Sequence, residues 1–218
     1  MMGLAPQLER IGAELADARR RAHEIAAPLA PERWRARPTG DRWSVAECLI
    51  HLNLTPLAFL PLIRDAIARG RDLKLLADGP FRRDVVGWFL SWITEPPVRF
   101  RVKTTAPFVP ASVEPKDRVL VAFDTLQEQV VACVREADGL DLGRLRIVSP
   151  FDPRLKYNLY SCLRISFPLI SGSICRRLNT RSTVSAPAAQ ASDDVSGIRT
   201  ACERRGSYLR CGPTGRVK

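Results

Sequence analysis

The chain has 218 residues, 45% of them apolar and 26% charged, enough for one sizeable core with or without a tail. Its formal net charge of +11 raises nucleic acid or an anionic surface as a partner. After residue 165, however, nine Lys/Arg face three Asp/Glu, so over half of the excess lies in the last quarter, and no nucleic-acid recognition motif accompanies it.

The expectation is therefore no nucleic-acid partner. The six cysteines (Cys48, Cys133, Cys162, Cys175, Cys202 and Cys211) form no CxxC pair and no zinc-ribbon spacing. No signal-peptide pattern opens the chain, and no uninterrupted apolar run approaches the ~20 residues of a membrane span, so a cytoplasmic location without a membrane partner is expected.

Residues 7–28 predict a first helix. Leu8, Ile11, Leu15, Ala18, Ala22 and Ile25 recur at three and four, with charged residues opposite. His23 falls on its polar flank and is expected to be solvated. Pro28 and Pro31 end the helix, and Pro38-Thr39-Gly40-Asp41 is a turn.

The second helix opens with the most informative stretch, Trp43-Ser44-Val45-Ala46-Glu47-Cys48-Leu49-Ile50-His51-Leu52. Ser44 and Glu47 have capping-box spacing, and Trp43 stands one residue before the cap, where a staple residue belongs. Val45, Cys48, Leu49 and Leu52 make an apolar face with His51 at its edge. The helix is expected to stop near Gly70. Pro56 and Pro61 inside it predict a kink or break, because a helix-interior proline costs about 3 kcal/mol.

Val85 to Ile93 is a dense apolar cluster, either a short helix covering a bundle end or an exposed patch. Residues 98–110 read as extended or irregular. A third long helix spans Lys116 to Ala137, carried by Val119, Leu120, Phe123, Leu126, Val130, Cys133 and Val134 and closed by Gly139. Residues 140–153 are a connector. A fourth helix starts near Pro153 with Leu155, Leu159, Cys162 and Leu163, then fails at Ser166-Phe167-Pro168. The chain thus divides into a helical domain over 5–165 and a disordered tail over 166–218, too poor in patterned apolar residues to order itself. The fold class is all-α, an antiparallel four-helix bundle with an incomplete last helix.

Trp34, Arg37-Pro38 and the run Trp43 to Leu52 resemble the signature of the DinB-like (DinB/YfiT) metalloenzymes. Glu95-Pro96-Pro97 and Ser149-Pro150-Phe151 resemble weaker segments of the same family, and the resemblance covers about residues 5–165. It implies a four-helix bundle in which three histidines bind a divalent metal, nickel or zinc. His51 corresponds to the first ligand, and a His-x3-His pair in the last helix supplies the other two. It also implies an S-transferase of the bacillithiol or mycothiol type, or a hydrolase-like enzyme, with a small electrophile and a thiol as partners.

The chain departs from that pattern at the decisive place, since no histidine follows His51. One imidazole does not make the three-ligand open site of a catalytic metal centre. Cys162 and Cys175 are the remaining soft donors, but Cys162 falls on the apolar face. The metal is accordingly not expected to bind, and the enzyme is expected to be inactive as it stands.

With one choice of codons, such as AGC for serine and ATC for isoleucine, and a reading that skips two nucleotides, residues 166–180 become Leu-Ser-Pro-His-Gln-Arg-Gln-His-Leu-Ser-Ala-Ala-Glu-His-Ala, which holds a His-x3-His pair. A frameshift near the Ser166 codon is the expectation this raises. The alternative function is a nonenzymatic helical module that binds a partner or forms a homodimer through the Val85–Ile93 cluster.

Overall fold

The computed structural model describes residues 4–38, 42–94, 108–112 and 114–165, with only the backbone of residues 93 and 94. Within these are helices α1 (Pro6–Ala26), α2 (Pro31–Arg35), α3 (Val45–Asp72), α4 (Val85–Thr94) and α5 (Lys116–Glu136). A hairpin of β1 (Arg146–Val148) and β2 (Lys156–Asn158) leads into α6 (Leu159–Arg164). The fold is mainly helical, as the periodicity predicts.

The three long helices bury the stripes read from their sequences, including Leu8, Ile11 and Leu15 of α1, Phe59 and Ile63 of α3, and Phe123 and Val130 of α5. Side-chain bonds fix their directions. Arg19 reaches Asp124 and Glu128, and the Ala5 N–H donates to Asp138, so α1 runs antiparallel to α5. Asn53 donates to the Val119 carbonyl, Arg64 to Gln129 and Arg71 to the Glu136 carbonyl, so α3 runs parallel to α5. The long connection through α4 permits that parallel pair, since short loops would impose antiparallel neighbours.

Two apolar clusters divide the core. One joins Ala22, Ile25, Trp34, Leu49, Leu52, Val119 and Phe123 at the end holding the start of α3. The other joins the rest of the long helices to the hairpin and α6.

Four local expectations are corrected. First, α3 is continuous through Pro56 and Pro61. Pro56 is buried, and the Thr55 hydroxyl donates to the His51 carbonyl in the turn above it at 3.2 Å. Burial of the face carrying Leu52, Phe59, Leu60, Ile63 and Ile67 offsets the proline penalty. One 18-residue window of α3 has the length and composition of a membrane span, but most of it is buried in the protein.

Second, Gly70 is not the helix stop. The helix ends at Leu73 as cap, and Lys74 takes the left-handed conformation at φ 50°. Gly70 instead makes room for Leu145, whose Cδ1 would stand 2.8 Å from an added Cβ. Third, residues 146–158 form a hairpin where a connector and the start of the fourth helix are expected, because strands of three residues are too short to show alternation. The Asn158 side chain then accepts from the Ser161 N–H and starts α6 only at Leu159. Fourth, Pro31 opens a short helix that carries buried Trp34, whose indole N–H donates to the Glu114 carbonyl at 3.0 Å. The helix over Lys116–Glu136 and Gly139 at φ 74° follow the sequence reading. The 166–218 tail and most of 98–110 lie outside the described residues.

Candidate functional site

The start of α3 is held by the capping box that its sequence spells. The Ser44 hydroxyl accepts from the Glu47 N–H at 3.2 Å, and the Glu47 carboxylate accepts from the Ser44 N–H at 2.8 Å. That carboxylate also takes a forked ion pair from Arg37. Burial alone would raise the pKa of Glu47, but the Arg37 and Ser44 hydrogen bonds outweigh it and hold the group below its ordinary value. Arg37 and Glu47 both fall in the signature stretch, and their pairing shows one reason for that combination: the arginine lets a mostly buried carboxylate stay charged while it caps.

This rigid start aims His51 two turns further on. Trp43, immediately before the cap, meets the His51 ring edge to face, with centroids 5.3 Å apart and planes at 60°. The His51 Nδ1 lies 2.8 Å from the Phe108 carbonyl oxygen. A carbonyl only accepts, so Nδ1 carries the proton and donates, and Nε2 keeps its lone pair. Burial pushes the His51 pKa below its ordinary value, opposed only in part by the bond to Phe108. The ring is therefore a neutral Nδ1–H imidazole near pH 7. A partner on the far nitrogen is the arrangement by which proteins orient a ligating histidine.

Aromatic rings brace the Phe108 anchor. The Phe108 and Phe151 rings lie 4.0 Å apart, and Phe151 lies 5.6 Å from Phe59 of α3. Phe151 comes from Ser149-Pro150-Phe151, so that segment of the resemblance does reach the surroundings of His51. Glu95-Pro96-Pro97 lies outside the described residues. Phe108 is the participant that sequence reasoning missed. It sits among prolines, with no periodicity to assign it an inward face.

The second histidine serves elsewhere. His23 is not simply solvated: its Nε2 lies 2.9 and 3.0 Å from the two Asp124 oxygens, joining α1 to α5 beside the Arg19–Asp124 pair. Burial tends to raise the Asp124 pKa, but His23 and Arg19 together hold it below the usual carboxylate value.

The donor set does not fit the three-histidine ion that the resemblance implies. His51 and His23 are the two histidines of the whole chain, and His23 is engaged with Asp124. Cys162 is buried in the apolar cluster with Leu159 and Leu163. Among the described residues, no three His, Cys, Asp or Glu side chains gather as a metal-binding group.

Comparisons with curated proteins and with solved structures returned no match. The family model of the DinB superfamily matches residues 14–166, from the third turn of α1 to just past α6. The capping box, the Arg37 pair on its buried Glu47 and the oriented His51 all lie inside that span. The chain belongs to the DinB superfamily.

Proposed function

We propose that this chain is a DinB-type domain of metal-dependent, thiol-transferase ancestry, cytoplasmic, with one ligand position kept at His51 and the other two lost. The observation that carries this reading is the Nδ1–H bond from His51 to the Phe108 carbonyl, which leaves Nε2 as the sole acceptor on a partly buried, braced ring. As translated, the chain has no second or third imidazole to complete a centre, so its own residues support no metal-dependent step.

The family match stops at residue 166, where the shifted frame begins its His-x3-His text. The direction of α6 supports the same reading. Tyr160 lies beside Gln7 and Arg164 beside Glu14, so α6 runs along α1 toward the latter's C-terminal end. That end holds the start of α5, and with it the N-terminal half of α3 that carries His51. A helix prolonging α6 in the shifted frame would head toward His51.

Metal titration is the test, made on the chain as it stands and on a version carrying the shifted text after Ile165. The expected result is no stoichiometric nickel or zinc with the first and stoichiometric binding, lost in His51→Ala, with the second. Binding at about micromolar affinity by the present chain, abolished by His51→Ala, would overturn the incomplete-site reading. Sequencing the locus decides the frameshift separately: a single frame without the alternative histidine codons ends it.

A further inference from the structure

Phe151 links the helix that carries His51 to the segment that carries its acceptor. Among the described residues, Phe108 makes one hydrogen bond, its carbonyl accepting from His51 Nδ1 at 2.8 Å, and one ring contact, to Phe151 at 4.0 Å. The Phe151 ring also meets Phe59, at 5.6 Å and 54°. Phe59 is buried on α3, about two turns beyond His51. The backbone of Phe151 is held in turn by the hairpin loop. Its N–H donates to the Ser149 hydroxyl at 3.3 Å, the Ser149 N–H to the Leu155 carbonyl at 2.8 Å, and the Leu155 N–H to the Asp152 carbonyl at 3.0 Å.

We propose that Phe151 is a positioning residue that sets the tautomer of His51: by seating Phe108, it keeps the proton on Nδ1 and the lone pair on Nε2. A neutral imidazole in water divides its proton between the two nitrogens, with Nε2 the commoner site, and a fixed acceptor at one nitrogen decides the matter. The acceptor here is a backbone carbonyl that belongs to no named helix or strand. Its place is not fixed by a ladder of backbone bonds, so the side chain of the same residue has to fix it. A ring packed on a second ring, which is itself packed on α3, supplies that hold.

His23 shows the opposite case in the same chain. Its Nε2 faces the two Asp124 oxygens at 2.9 and 3.0 Å, so Nε2 carries its proton. That acceptor is a side chain on α5, within a long helix, and needs no aromatic brace. The proposal rests on the same hydrogen bond as the reading of His51 above, and the experiment separates their failures.

Nitrogen-15 NMR of the histidine-labelled full chain at pH 8 is that experiment. The chain has two histidines, so His51→Gln assigns both rings. In the unaltered chain, His51 should be protonated on Nδ1 and His23 on Nε2. Phe151→Ala should move the larger share of the His51 proton to Nε2 and leave His23 as it was. Phe108→Ala, which keeps the carbonyl but removes its ring, should do the same. Phe151→Leu, which keeps apolar volume without the stacked ring, should give an intermediate population. Leu145→Ala truncates a buried side chain of the same cluster, near Gly70, and should lower the urea midpoint without moving the His51 signals. Retention of the Nδ1–H form in both alanine variants at 108 and 151, or the same shift in Leu145→Ala, would overturn the positioning role and leave the reading of His51 intact. Protonation of His51 on Nε2 in the unaltered chain would overturn both.

Discussion

The molecule starts two of its helices in contrasting ways. At the start of α3, the holding contacts are local: Ser44 and Glu47 satisfy each other's N–H groups across three residues, and Arg37 lies only ten residues away. At the start of α6, Asn158 supplies a similar local cap, but the junction depends on Asp84, more than 70 residues earlier. The Asp84 carboxylate accepts from the Asn158 N–H, the Ser161 hydroxyl and the Gly87 N–H, and it pairs with Arg146. One carboxylate thus caps α4, ties it to the hairpin and holds α6. The α3 start can assemble from a short stretch of chain, whereas the α6 start exists only once distant segments have met.

Four measurements break or sharpen that contrast. The largest effect is expected at the distant junction. Gly87→Ala drives a methyl into Ser161 and should cost about 3 kcal/mol in urea unfolding, with Ser161→Gly in the same chain recovering most of it. Full stability in the single variant would mean that α4 is not seated as described.

At the local cap, Glu47→Gln keeps the shape but removes the charge that Arg37 and the Ser44 N–H bind. The expected loss is about 1–2 kcal/mol, and Ser44→Ala should lose about 1 kcal/mol. If the two losses simply add in the double variant, the reciprocal box is not a unit.

Between the two ends, where one apolar cluster gives way to the other along α5, Gln127 is buried with neither amide atom bonded among the described residues. Gln127→Met should therefore raise stability, by about 1 kcal/mol, and raise the melting temperature accordingly. A loss would reveal a partner for the amide.

Acidity separates the contributions of the α3 end. The folded pKa of His51 is depressed, so the folded state binds its proton less readily than the unfolded chain does. Its contribution is present above the unfolded value of about 6.5 and is lost as pH falls below it. Glu47 and Asp124 are also depressed, and their contributions are lost lower, as pH falls through the carboxylate range. Unfolding free energies at pH 7, 6 and 5 should decline, and His51→Gln should flatten that decline. An unchanged slope in the variant would remove His51 as its source.

What was legible in the sequence was whatever local rules govern. The amphipathic stripes of α1, α3 and α5, the Ser44–Glu47 box and the turn at Gly139 all follow from spacing and backbone preference, which act over a few residues. The position of His51 at the edge of an apolar face was equally plain. Its tautomer was not, because that depends on the carbonyl of Phe108, 57 residues away in a proline-rich segment without period. The survival of α3 past Pro56, the pairing of His23 with Asp124 and the replacement of a helix start by a hairpin belong to the same class. In each, a long-range contact outweighs a local preference of a few kcal/mol at most.

By itself, then, the sequence determined that the three long segments are helical, which faces they bury and where α3 is capped, since these depend on neighbours three and four residues apart. Only the tertiary structure decided that α3 and α5 run parallel, that Asp84 holds three elements together and that His51 keeps a lone pair on Nε2. Those outcomes depend on groups that the chain brings together only when it folds.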